Sequence, residues 1–128
     1  MRRTIEAEDA PLPVGPYAQA VLAGDFVFAA GQIGLDPSTG KLVPGGTREQ
    51  LVRVLDNLAA VLRASGHGLD DVVKTTVYLV DLGEMPLVNE VYARYFPAPH
   101  PARATVQVAA LPAGARVEIE AVAVRGGS

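Results

Sequence analysis

Apolar residues fall into several short strand-like runs and two longer helical stripes, and this alternation outlines the fold. Arg2–Ala7 is a short strand candidate, followed by a proline-broken acidic segment. Tyr17–Ala23 and Phe26–Ala30 form two further strand runs. Gly24-Asp25 between them is a two-residue hairpin signal suited to a primed turn. Leu51, Leu55, Leu58 and Leu62 then share one stripe, flanked by Val54 and Val61, and predict a helix over Arg48–Ser65. Thr47 and Gln50 fit a capping box, and Gly66 stands where a C′ glycine belongs. Val72–Val80 is rich in β-branched residues and reads as a buried strand. A second helix is predicted to start near Asp81-Leu82-Gly83-Glu84, with Pro86 tolerated in its first turn. Its apolar face carries Val88, Val91, Tyr92 and Tyr95, and Pro97, Pro99 and Pro101 stop it.

Pro101–Val124 holds the last two strand runs, separated by the turn-prone Leu111-Pro112-Ala113-Gly114. Arg103, Thr105 and Gln107 share one face of the first run, with Ala104, Val106 and Val108 on the other. In the second, Val117, Ile119 and Ala121 share a face, and Glu118 and Glu120 lie opposite. Val122 and Val124 follow the two acids on that opposite face. Such a strand leaves solvent, or carries its acids into a pocket or a subunit contact. On pattern alone the two runs pair as a hairpin. The element order predicts an α+β domain with both helices on one face of a sheet. The uncovered face then needs a partner.

Composition sharpens this picture. A chain of 128 residues reads as one domain, residues 1–128, and with aromatics at only 5% its core must be aliphatic. A hydrophobic content of 49% is high for a small soluble monomer and points to apolar surface buried between subunits. The net charge of -3 lacks the basic face that a nucleic-acid binder needs. Without cysteine, disulfides, thiolate catalysis and zinc–thiolate sites are excluded. Met1–Pro11 has two arginines but no apolar stretch behind them, so it does not read as a secretory signal. No apolar run has the length of a membrane span, and the expected location is the cytoplasm.

Candidate chemistry is sparse. His67 lies between two glycines and His100 between two prolines, neither at metal-ligand spacing from another donor, so both read as surface loop residues. No dinucleotide or phosphate-loop pattern follows a strand, and Ser38, Ser65 and Ser128 are not in a nucleophile-elbow setting. What remains is Arg103 with Glu118, taken as lying on adjacent strands, where they suit a small carboxylate and a water. The competing reading is an exposed ion pair of little energetic consequence. Tyr17 and Asn89 are polar groups in apolar settings; Tyr17 is more often a partly buried strand residue, and Asn89 an exposed helix residue, than either is a site.

Several segments together resemble the RidA (YjgF) family. They are Gly15-Pro16-Tyr17-Ala18-Gln19-Ala20-Val21, Ala30-Gly31-Gln32-Ile33-Gly34, Val73-Lys74-Thr75-Thr76-Val77-Tyr78-Leu79, Asn89-Glu90-Val91-Tyr92, Pro101-Ala102-Arg103 and Val117-Glu118-Ile119. The resemblance implies a chorismate-mutase-like α+β fold, a homotrimer around a central barrel, and sites in clefts between subunits. It also implies a final strand inside the sheet, against the hairpin reading. The two-sided apolar run Ala121–Val124 agrees with that implication.

The implied activity is hydrolysis of reactive 2-imino or enamine acids to 2-keto acids and ammonia. By resemblance, Arg103 binds the substrate carboxylate and Glu118 positions and activates water. Tyr17, Asn89 and Thr105 line the pocket, and Gly31 allows close backbone approach. Thr105 stands where the family often has cysteine. An imine is already electrophilic, so neither cofactor nor metal is expected. The rival expectations are a non-catalytic metabolite-binding trimer, a translation-inhibiting ribonuclease and a chaperone-like surface.

Overall fold

The computed structural model describes residues 2–125, and Ser128 lies outside the described residues. The strands are β1 (Arg2–Ile5), β2 (Ala20–Ala23), β3 (Phe26–Gln32), β4 (Val72–Leu79), β5 (Ala102–Gln107) and β6 (Val117–Val124). The helices are α1 (Thr47–Ala64) and α2 (Met85–Tyr95). All six strands form one mixed sheet in the order β1-β2-β3-β6-β4-β5. β4 and β5 are parallel, with α2 as the crossover between them, and every other pairing is antiparallel.

The hairpin that pattern alone suggests for the last two strands does not form, and the final strand lies inside the sheet, as the family resemblance implied. β5 returns through the α2 crossover in the same direction as β4 and pairs along it at the sheet edge. The chain then rounds a tight turn at Pro112–Gly114, with Ala113 and Gly114 at positive φ, and inserts β6 between β3 and β4. Val117, Ile119, Ala121 and Ala123 of β6 are buried on the helix side. On the other side Val122 and Val124 are half-buried in register with Phe28 and Phe26. That placement explains the loss of alternation at the end of β6.

Both helices cover one face. Leu51, Leu55, Leu58 and Leu62 of α1 are fully buried beside Val27, Val77, Leu79 and Ile119 of the sheet. Across the sheet the other face stays open, with Phe26, Phe28, Val73 and Val106 each more than two-fifths exposed. No helix of the described residues is long and apolar enough to cross a membrane.

Three local expectations change. β2 starts only at Ala20, because Gln19 is buried and bonds across to Ala7 and to the Pro11 carbonyl. At the start of α1 the cap is Gly46, whose N–H donates to the Glu49 carboxylate at 2.8 Å. The Thr47 hydroxyl and the Gln50 amide oxygen, expected to cap, instead receive hydrogen bonds from Arg116, and Thr47 donates to Glu84. His67 is not a surface residue: it is 5% exposed. The Gly66 turn, at φ +81°, folds the chain back so that the His67 N–H closes on the Leu62 carbonyl, carrying the ring inward.

Candidate active site

Arg103 sits on the edge strand β5 in register with Thr75 of β4. Cross-strand partners share a face, and Thr75 is fully buried with its hydroxyl 2.7 Å from the Tyr92 hydroxyl of α2. Arg103 therefore faces the helices. One Nη donates to the Asn89 carboxamide oxygen at 2.8 Å, and the guanidinium lies 4.9 Å from the centre of the Tyr92 ring. This cation–π contact and the amide hold the fork without neutralising it. Among the described residues no carboxylate pairs with it. A hollow of about 320 Å³ opens here, lined by Asn89, Tyr92, Ala93, His100, Pro101 and Arg103. Thr105 follows on the same face, half-buried and in register with Val77.

Glu118 occupies a different place. It is in register with Tyr78 on β4, three residues on from Thr75, so its side chain leaves the sheet on the open face. The carboxylate lies against Gly31 of β3, where a Cβ would overlap it. Tyr17, Gly31 and Glu118 line a second hollow, of about 170 Å³, with apolar walls that include Ile33, Leu35 and Pro112. Partial burial pushes the Glu118 carboxyl above the ordinary range, and the Glu120 charge two residues along the same face adds to the push. Glu120 itself accepts a hydrogen bond from the Tyr78 hydroxyl. Tyr17 is half exposed, in a loop rather than a strand, and its hydroxyl accepts the Val14 N–H at 3.3 Å.

The sequence-predicted residues thus form two groups: Arg103 with Asn89 and Thr105, and Glu118 with Gly31 and Tyr17. The groups lie on opposite faces. Arg103 and Glu118 are not on adjacent strands either, since β4 separates them. Sequence pattern placed each correctly on its own strand but could not show that β6 enters the sheet on the far side of β4. Asn89 is exposed, as expected for an outer helix position, yet it is the group that holds Arg103. Tyr92, read from the sequence only as an apolar helix position, supports the guanidinium. The i, i+3 spacing of Asn89 and Tyr92 was the available signal. Among the described residues no group of three or more His, Asp or Glu side chains is arranged to hold a metal.

The model of the Endoribonuclease L-PSP family, the RidA (YjgF) family, matches residues 7–125. The chain belongs to this family. A 2-iminobutanoate/2-iminopropanoate deaminase of Mus musculus is 51% identical over 98% of this chain and 93% of that protein. Among solved structures, one from Thermotoga maritima, described provisionally as an endoribonuclease, is 50% identical with a TM-score of 0.95 over 98% of both chains. The E. coli TdcF structure with bound serine is 41% identical with a TM-score of 0.92, covering 97% of this chain and 99% of that one. Within the RidA family frame, the six-stranded mixed sheet and two helices match the solved members.

Proposed function

We propose that this protein, a single-domain cytoplasmic enzyme, hydrolyses reactive 2-imino acids such as 2-iminobutanoate and 2-iminopropanoate to 2-keto acids and ammonia. It would do so as a homotrimer with its sites between subunits. The activity rests on deaminase relatives at about half identity over nearly the whole chain. The single structural observation behind it is an unneutralised Arg103, held by Asn89 and Tyr92, together with a half-buried Glu118 of raised pKa. Their placement on opposite faces supports a site assembled from two copies, one supplying each group. The open face bearing Phe26 and Phe28 supplies apolar surface for that assembly, around a central barrel. Each cleft would join the Arg103 hollow of one copy to the Glu118 hollow of another.

In this site the Arg103 fork binds the substrate carboxylate bidentately. Water oxygen bonds to the imine carbon while Glu118 takes a water proton and the C=N electron pair moves to nitrogen. Glu118 returns that proton to nitrogen. The C–N bond then breaks with its electron pair, the remaining hydroxyl becomes the keto group, and its proton passes to the departing nitrogen, which leaves as ammonia. The raised pKa of Glu118 suits a group that must both accept and return a proton. No step requires a metal or organic cofactor. The acidic net charge disfavours a ribonuclease role despite the description of the family.

A coupled assay tests this proposal. A PLP-dependent dehydratase generates the imine, and keto-acid formation is followed with and without the protein. Acceleration is expected at catalytic amounts of protein. Keto-acid formation that stays at the uncatalysed rate refutes the deaminase and leaves a metabolite-binding protein.

A further inference from the structure

His100 lies in the segment between α2 and β5 and lines the same hollow as Arg103. Its Nδ1 is 2.8 Å from the Phe96 carbonyl oxygen. A carbonyl only accepts, so Nδ1 carries the hydrogen and the neutral ring is held in one tautomer. Nε2 is then the ring nitrogen left to face a ligand, a lone pair in any neutral imidazole and an N–H donor in any imidazolium. The residue is exposed, so Nε2 is open to solvent and to ligands. An idle loop position, as the sequence suggested, would not need a ring anchored beside the substrate arginine.

The charge balance of the hollow points the same way. α2 contributes Asn89, Tyr92 and Ala93, of which only Tyr92 titrates, and β5 contributes the permanent Arg103 cation. Glu90, next to Asn89 in the chain, is engaged by Arg48 at 3.1 Å and Arg94 at 3.2 Å. Among the described residues no acid lines the hollow. One fixed cation and one titratable nitrogen therefore share a concavity of about 320 Å³, within the size range of small-molecule sites.

We propose that His100 determines specificity: with Arg103 on the α-carboxylate, the His100 imidazolium holds a second carboxylate at the end of the ligand's side chain. The site would then take 2-imino and 2-keto dicarboxylic acids as well as short aliphatic ones. This assignment rests on the reading of Arg103 as the carboxylate anchor. It does not depend on turnover.

Calorimetric titration with 2-oxoglutarate and 2-oxobutanoate, at about pH 6 and about pH 8 where imidazoles change charge, tests it. The wild type should bind 2-oxoglutarate roughly tenfold more tightly at the lower pH, the yield of one charge-assisted contact. Binding of 2-oxobutanoate should differ little between the two. His100→Gln should abolish the pH-dependent gain for 2-oxoglutarate and leave 2-oxobutanoate unchanged. Equal wild-type affinity for 2-oxoglutarate at both pH values, or a gain that survives His100→Gln, overturns the assignment. Arg103→Ala distinguishes the two levels of the argument. If it weakens both ligands while His100→Gln weakens neither, only the His100 role fails. If it weakens neither ligand, the anchor reading fails and the proposal falls with it.

Discussion

Replacing Gly31 with alanine separates the chemistry of Glu118 from the stability of the fold. A Cβ on Gly31 would overlap the Glu118 Oε2 and lie 2.8 Å from the carboxyl carbon. The Gly31 backbone is not in the left-handed region, so alanine itself is accommodated without strain. What must yield is the end of a flexible side chain. No hydrogen bond from a described residue contributes to the Glu118 shift, so little is lost when the carboxylate swings away. An off-rotamer adjustment costs about 0.5–1.5 kcal/mol, and the lower unfolded-state entropy of alanine returns about 0.4–1 kcal/mol. Net stability should therefore change by less than about 1 kcal/mol, a shift of roughly 2–5 °C in Tm for a domain of this size. Turnover should behave differently. The carboxylate has to retreat by about 1 Å, and misplacement on that scale costs roughly 10²-fold in rate. That is about 2.7 kcal/mol of barrier. The coupled imine assay and a thermal melt on the same preparation read the two quantities. Gly31→Ala turning over imine at the wild-type rate would refute the placement of Glu118 at the reacting centre.

The pair Arg103 and Glu118 should fail in different ways. Arg103→Ala should weaken binding of 2-oxobutanoate by about 1.5–3 kcal/mol, whereas Glu118→Gln should bind it nearly as well and lose two to four orders of magnitude, roughly, in turnover. Glu120→Gln, at the position bonded to Tyr78, should cost much less at the pH optimum, and equal losses in the two glutamine variants would overturn the assignment to Glu118. The pH profile should carry the same signature. In the proposed mechanism Glu118 acts as a carboxylate, so the rate should fall as pH drops through its raised pKa, placing the acid limb above the ordinary value of 4.5. Removing the Glu120 charge should move that limb to lower pH, and an unmoved limb would show that Glu120 does not influence Glu118. Light scattering at micromolar concentration should give about three times the 13.4 kDa of one chain, and a stable monomer would eliminate the shared site.

Much of this protein was legible in the order of its residues. The leucine stripe of α1, the Gly66 stop, the β-branched run of β4 and the proline-bounded α2 all follow from local periodicity and backbone chemistry. These depend on neighbours within a few residues, and the sequence states them directly. The side chosen by each β5 and β6 residue also follows from period-two alternation. Strand order does not, because it depends on where a distant segment finds unpaired edges. β6 enters between β3 and β4, and only that insertion puts β4 between Arg103 and Glu118 and turns them to opposite faces. Thr47 and Gln50 are a similar case. Their local pattern suits capping, but tertiary folding brings Arg116 and Glu84 to them, and the cap passes to Gly46 and Glu49. His67 and His100 looked alike in the chain, each in a loop between turn-forming neighbours, two glycines for the first and two prolines for the second. A glycine turn that closes onto α1 buries the first. A carbonyl at the end of α2 holds the second beside Arg103. Local sequence determined the elements and the faces of their residues; which faces meet was decided by contacts between segments far apart in the chain.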